Sequence, residues 1–474
     1  AYSDAMLLQG LIGAPLLWVG LSPVLVYNLL LLTGIAGSGV GMFVLARTLT
    51  GSLLPSLVAS AVFVLAPYRI EHFMHLELQW TMWMPLMFWA LHRTVDAPSL
   101  RPAALAGLFL WLQILSCVYY GVFLALAAAT FVATLAALRP RAVARALPWL
   151  VLAALMAAVL SLPYAWQYLG VTGTVGSRSL DMIREYSARP ESYLVSPPQN
   201  WLWGWTAGRG SAELRLFPGL VACALAVVGL FARPRAVVLV YAAMGGIAVA
   251  MSLGVNAPPY EWLLARLDVL QGLRAPSRFA IVAMSALAVL AALGVQAISL
   301  TMVERTRSNG LSRTRLVASL ALMLLAVEYR NTAMLLADVP RRPAEALNVY
   351  DAVHALGPGV LLEWPLPALQ ALPGREPVYS FWSIGTWPQR INGYSGYYPP
   401  SYIQTVARLE SFPDRASVAL LQQRGVRYIV VHKTDLEGEA YASLLLRMTE
   451  RPEITPHGLF RDPDGEAALF LLAP

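Results

Sequence analysis

RTVDAPSLRPAALAGLFLWLQILSCVYYGVFLALAAATFVATLAALRPRAVAR, residues 93–145, carries the pattern that decides the fold. Arg93 and Arg101 stand before a run from 102 to 138 that has no charged side chain, and Arg139, Arg141 and Arg145 follow it. A helix needs roughly 20 apolar residues to cross a bilayer, so this run is too long for one span of ordinary tilt. The sequence Ser116-Cys117-Val118-Tyr119-Tyr120-Gly121 near its middle reads as a hairpin turn between spans at 102–115 and 118–138. That turn lacks a strong Gly/Pro signal, so one long helix is the competing reading.

Outward from this stretch the pattern repeats. Apolar runs at 23–45, 53–67, 80–92, 147–168, 217–231, 236–253, 279–300 and 316–329 bring the expected total to about ten spans. Several are shorter than a full crossing and must extend into neighbouring polar residues. The links between them alternate. Arg47, Arg93 and Arg101, Arg139 to Arg145, Arg233 and Arg235, and Arg305, Arg307, Arg313 and Arg315 all fall on every second link. By the positive-inside rule those links are cytoplasmic. The links at 68–79, 116–120, 170–216 and 254–278, and everything after 330, are then external. Arg178, Arg184, Arg189, Arg209 and Arg215 break the contrast, but they lie in a long loop beside Asp181, Glu185, Glu191 and Glu213, and long translocated loops obey the rule poorly.

Composition agrees with a lipid-facing chain. Of 474 residues 58% are hydrophobic and 13% charged, with mean hydropathy +0.59; soluble domains carry about 25% charged residues. The net charge of +7 sits at span ends rather than in one patch, which argues against a nucleic-acid partner. Cys117 and Cys223 have neither CxxC nor zinc-type spacing.

The chain begins at Ala1 on the expected external side without a signal segment, which leads us to expect an N-terminally truncated piece lacking at least one helix. Residues 4–18 read as an interfacial helix or as the end of a re-entrant or spanning segment. Charge and proline rise from Asp338, and long apolar runs stop. Strands at 360–364, 428–432 and 467–472 with helices at 344–356, 401–409, 415–424 and 439–451 predict a small α/β domain over 331–474. The organisation expected is an external loop and surface helix (1–22), a transmembrane domain (23–330), and a soluble external domain.

Five places hold residues suited to chemistry. Asp4 is the only acid before Glu71; it fits a general base near the membrane plane, and equally a helix cap. Residues 68–77, YRIEHFMHLE, gather Arg69, Glu71, His72, His75 and Glu77 in a chain with six histidines. On a helix Glu71 and His75 share a face, as do His72 and His75. This set fits a substrate-facing cavity, ligation of a divalent cation, or polar anchoring at the headgroups. Arg274 and Arg278, in LRAPSRF, are placed to bond phosphate oxygens or to snorkel to lipid headgroups. Tyr193, Trp201, Trp203 and Trp205 fit an interfacial belt or a sugar-stacking surface. The loop NGYSGYYPPS, 392–401, with Tyr394, fits carbohydrate or domain docking, or a plain structural turn. No GxSxG, P-loop, GxGxxG or HExxH motif occurs in a supporting context, which leaves hydrolase, ATPase and zincin readings without a basis.

With YSDAMLLQ, APYRIEHFMHLELQW, LRAPSRF followed by AVLAALGV, INGYSGYYPPSY and GVRYIVVH, the chain resembles the GT-C superfamily of integral-membrane glycosyltransferases, in particular bacterial glycosyltransferase-like membrane proteins. The resemblance implies a sugar donor on a polyprenyl phosphate or diphosphate, transfer on the outer face of the cytoplasmic membrane, and a glycan, lipid or protein acceptor. It also implies a first-loop aspartate as base. Asp4 would be a second acidic position of that loop, with the principal aspartate upstream. Asp4 would deprotonate the acceptor, Glu71 or His75 would orient it, and Arg69, His72, Arg274, Arg278 and Tyr394 would hold donor and phosphate. No metal ligand is assigned, although a divalent cation would be compatible. A flippase of lipid-linked saccharides, or a non-enzymatic envelope-assembly protein, is the alternative. Against a transporter, the ionisable residues lie mostly at span ends instead of at mid-membrane depth.

Overall fold

In a computed structural model the described residues are 6–175, 178–306, 310–332, 336, 339, 348–396, 398–436, 438–462 and 465–474. They form two units, one within Asp4–Met334 and one within Leu335–Pro474.

The N-terminal unit is helical. Six helices among its described residues are long and apolar enough to cross a membrane: Pro23–Thr50, Leu53–Glu71, Val118–Leu138, Pro140–Tyr168, Arg235–Ser252 and Pro276–Met302. Six is fewer than the ten spans expected. Three of the missing runs form shorter helices, Trp83–Asp96, Leu100–Ser116 and Leu220–Gly229. The fourth, Gly310–Glu328, carries Arg313 and Arg315 in its opening turns, which dilutes its apolar character. Local chemistry sets several boundaries. Ser22 caps the first long helix by accepting the Leu25 N–H at 3.3 Å, Pro23 opens it, and Gly51 closes it at φ +65°.

The hairpin in the deciding stretch is present. Helices Leu100–Ser116 and Val118–Leu138 separate at Cys117, which is extended at φ −160°, ψ 114°. The reading as one long helix is therefore overturned. Glycine explains the sharp return: a Cβ on Gly121 would lie 2.4 Å from Ile114 Cγ1, so the two helices meet where no side chain fits. Ser116 strengthens the break by donating back to the Leu112 carbonyl at 2.8 Å and accepting Trp83 Nε1–H at 3.1 Å.

A second close crossing joins Leu220–Gly229 to the buried helix Ala280–Thr306. A Cβ on Gly229 would meet the Leu290 carbonyl oxygen at 2.0 Å, and one on Gly294 the Leu225 carbonyl oxygen at 1.9 Å. The start of Leu220–Gly229 is held by Glu328, which accepts Leu220 N–H (2.7 Å), Val221 N–H (3.0 Å) and Trp203 Nε1–H (3.2 Å).

The C-terminal unit is a mixed five-stranded sheet in the order β2-β1-β3-β5-β4: β1 Val360–Trp364, β2 Gln389–Arg390, β3 Val426–His432, β4 Ile454–Asp462, β5 Gly465–Leu472. β1 runs parallel to β2 and β3, and β5 runs antiparallel to β3 and β4. The expected α/β character is present, with helices Val349–Ala355, Pro400–Leu409, Arg415–Gln423 and Gly438–Thr449 near their expected places. Strands β2 and β4 and helix Glu376–Trp382 were not expected.

Candidate functional site

Leu53–Leu65 ends at Ala66, whose ψ of 137° is forced out of the helical region by the proline that follows. Pro67 then opens a short helical turn, Pro67–Glu71. Tyr68 and Arg69 in this turn are both buried. Arg69 lies against the next link: Nη1 donates to Thr81 Oγ1 at 2.6 Å, and Nη2 to the Gln79 carbonyl and Oε1 at 3.1 and 2.8 Å. Gln79 returns Nε2–H to the His72 carbonyl at 2.9 Å. Arg69 thus fixes the shape of the 68–81 link from inside.

The residues after it face a second segment. Glu71 Oε1 accepts Arg215 Nη1–H at 2.9 Å. Arg278 takes Glu213 in a bidentate grip, Nε to Oε2 at 3.1 Å and Nη2 to Oε1 at 2.5 Å. His72 Nε2 stands 4.0 Å from the same Oε2, and the exposed His75 ring meets His72 edge-on at 5.7 Å between centroids. Arg278 also lies over Tyr119, 5.3 Å from the ring centre. Arg274 presents its backbone N–H to Tyr119 Oη at 2.9 Å and its guanidinium to the face of Tyr186 at 5.4 Å.

Glu213 and Arg215 arrive from the 170–216 loop because that loop is pinned. Leu216 N–H donates to the Ser192 carbonyl (3.0 Å), Phe217 N–H to that of Val195 (3.1 Å), and Arg215 Nε–H to those of Ala207 and Gly210 (3.3 and 3.2 Å). Two residues apart, both side chains turn to the helices.

Electrostatics separate the members. Burial alone would raise the Glu213 carboxyl, but the Arg278 charge and its hydrogen bonds outweigh that and hold it down at about 2. Burial pushes the His72 imidazole down to about 4, against the pull of Glu213, so His72 is neutral at physiological pH and its contact with Glu213 is not an ion pair there. Glu71 Oε2, Arg69 Nε, His72 Nε2 and Ser277 Oγ are buried without a hydrogen-bond partner among the described residues. Such groups are costly unless something meets them.

Of the residues singled out in the sequence, Glu71, His72, His75, Arg69, Arg274 and Arg278 share this end of the helical unit. Asp4 lies outside the described residues. Tyr394 is exposed in the C-terminal unit. The metal option finds no donor set: among the described residues no three His, Cys, Asp or Glu side chains are grouped to hold an ion, and Glu71 and Glu213 already face arginines. Of the loop aromatics, Trp203 is tied to Glu328 and Tyr193 Oη lies 2.8 Å from Ser252 Oγ, while Trp201 and Trp205 are exposed beneath Arg330 and Arg209.

Sequence reasoning missed Glu213 and Arg215 as members of the site. The one signal was their position as an acid–base pair in a loop whose arginines violate the charge rule. Comparison of the chain with protein-family models and with curated proteins gives no match.

Proposed function

We propose that this protein is a membrane glycosyltransferase, moving a sugar from a polyprenyl-phosphate donor to an acceptor at the membrane surface. The observation that carries this reading is the gathering of two carboxylate–arginine pairs, a neutral histidine, Arg274 and several orphaned polar atoms at one end of the apolar helices.

Transfer of a glycosyl group makes the acceptor oxygen bond to the anomeric carbon while the bond from that carbon to the phosphate oxygen breaks. Positive charge develops on the sugar, and the phosphate departs with the bonding electrons. The acceptor proton goes to a carboxylate, the role that the resemblance gives to Asp4. Glu71 keeps Oε2 outside its pair with Arg215, and this oxygen or His75 orients the acceptor hydroxyl. Arg278 commits Nε and Nη2 to Glu213, which leaves Nη1 for a phosphate oxygen. Arg274 faces only Tyr186 and Tyr119 among the described residues and supplies a second cation. Arg69 acts from within the link, and His72 holds the Glu213 side of the cluster.

The same geometry supports an orientation. The polar cluster lies where Leu53–Glu71 ends and Pro276–Met302 begins, whereas Asp96 and Arg139, paired at 2.8 Å, join the far ends of Trp83–Asp96 and Val118–Leu138. Arginine-bearing links and candidate site at opposite helix ends support an external site in a bacterial cytoplasmic membrane, with about ten crossings once the short helices are included, and an external C-terminal domain.

The test is a reconstituted transfer assay with a panel of polyprenyl-phosphate and polyprenyl-diphosphate sugars. Turnover of at least one donor, lost on Arg278→Lys and on Asp4→Asn with the fold retained, is the expected result. Absence of turnover with every donor, or full activity in both variants, overturns the reading.

A further inference from the structure

Beside Leu214 lies a cavity of about 430 Å³, within the roughly 300–1,000 Å³ of small-molecule sites. Its charged lining is Asp181, Glu185, Glu191, Arg184, Arg189 and Arg209. Leu214, the residue between Glu213 and Arg215, forms part of the wall. Ser187 forms another part; its neighbour Tyr186 is the ring under Arg274. Two chain segments therefore serve both the cavity lining and the candidate site.

The lining says what fits. Three carboxylates balance three guanidinium groups, so an anion or a cation entering this space meets as many like charges as opposite ones. Arg184 is paired with Asp181 at 2.7 Å, while Arg189 and Arg209 have no ion pair among the described residues. A hydroxyl group donates to carboxylate and accepts from guanidinium, so a ligand dense in hydroxyls satisfies both signs at once. The wall is rigid where it matters: Ser187 Oγ accepts Val255 N–H at 3.2 Å, and Asn256 Nδ2–H donates to the Ala188 carbonyl at 2.9 Å.

We propose that this cavity binds the acceptor as a neutral glycan, presenting one hydroxyl past Leu214 to the Glu71 end of the site; the acceptor role rests on the glycosyltransferase reading. The acceptor is then a saccharide rather than a lipid or a protein side chain.

Direct binding tests it without turnover. The intact chain in nanodiscs is examined by saturation-transfer NMR with maltose, cellobiose and chitobiose, and with glucuronate and glucose 1-phosphate as charged probes. A neutral disaccharide is expected to bind, at least tenfold more weakly after Arg189→Ala with Glu191→Gln, and likewise after Arg209→Ala. These side chains are exposed, and an unchanged thermal transition shows that each variant is folded. Arg278→Lys, which disables transfer, is expected to leave the disaccharide signal intact. No binding of any neutral disaccharide, preference for a charged probe, or binding indifferent to the cavity variants overturns the proposal. Glycan binding without turnover on any prenyl donor overturns the transfer reading and the acceptor role, and leaves a glycan site.

Discussion

Arg278 holds Glu213 by two parallel hydrogen bonds although 65 residues separate them. Glu213 is carried by a loop and Arg278 by the start of the most buried apolar helix, so the pair fastens the loop to the helical unit. Both side chains are mostly withdrawn from water, at 15% and 8% exposure. Removing one member leaves a charge uncompensated, a loss of about 3–5 kcal/mol for buried pairs. Arg278→Ala is therefore expected to lower stability by about 3 kcal/mol, and Arg278→Ala with Glu213→Ala by clearly less. Denaturation in detergent across this double-mutant cycle measures the difference. In the proposed reaction both variants lose transfer by about 100-fold or more, because the phosphate loses a positioned donor. A double variant as unstable as the single one would remove the pair from the account.

His72 and His75 are neighbours with different surroundings. Burial keeps His72 uncharged down to about pH 4, whereas His75 is exposed. His72 should show neutral-imidazole nitrogen shifts throughout pH about 5 to 8, read by ¹⁵N NMR of histidine-labelled protein. His72→Gln should lower activity without altering the shape of the pH–rate profile in that window. A profile whose inflection moves in this variant would give His72 a titrating role that its burial argues against.

How much of this was legible follows from range. The Ser116–Gly121 break could be read because span length is a local quantity, and Val360–Trp364 because a short apolar run beside turn residues marks a buried strand. The link 68–77 announced itself through its crowded ionisable groups. Its partners did not: Arg215 meets Glu71 across 144 residues, and no periodicity connects a loop to a helix end. The strand Ile454–Asp462 was hidden because Pro456 and Gly458 interrupt it and most of it is exposed, as suits an edge. The run 80–92 looked like a span, yet Gln79, Trp80 and Thr81 are taken by Arg69, Leu30 and Ser38, so the helix begins only at Trp83.

The crossing at Gly229 and Gly294 depends on two missing side chains. A methyl group at either position would meet a backbone carbonyl oxygen at about half the ordinary contact distance, and a carbonyl cannot rotate aside as a side chain does. Gly294→Ala is expected to cost about 1–3 kcal/mol and to move the Leu220–Gly229 helix outward. Gly246, which has open space around its Cβ position, is the control. Equal thermal shifts for Gly294→Ala and Gly246→Ala would show that the helices do not pack this closely.

The C-terminal unit carries its own pH dependence, set by His432. The imidazole is fully buried, stacked on Tyr379 at 4.4 Å, bonded through Nδ1 to Asp462, with Nε2 3.7 Å from Glu363. Burial alone would lower its proton affinity, but the two carboxylates outweigh burial and raise it to about 9 from 6.5. Because the folded value lies above the unfolded one, the contribution is complete below about pH 6.5 and is lost as the pH rises through 9; it is on the order of 3 kcal/mol. Glu376 acts in the same direction. Burial raises its carboxyl to about 7, so its contribution is present below 4.5 and is lost as the pH rises from there through 7. Glu363 is held below its ordinary value, burial being outweighed by His432 and Arg390, and its contribution is lost only in acid. The unit should therefore loosen over two adjoining steps, one from about pH 4.5 to 7 through Glu376 and one from about pH 6.5 to 9 through His432. Hydrogen exchange of the strands Val426–His432 and Gly465–Leu472 in the intact protein, corrected for the intrinsic pH dependence of exchange, reads both steps. Glu376→Gln should abolish the lower step and His432→Gln the upper, and protection that stays level from pH 6 to about 10 would mean that the imidazole is not held charged between its carboxylates.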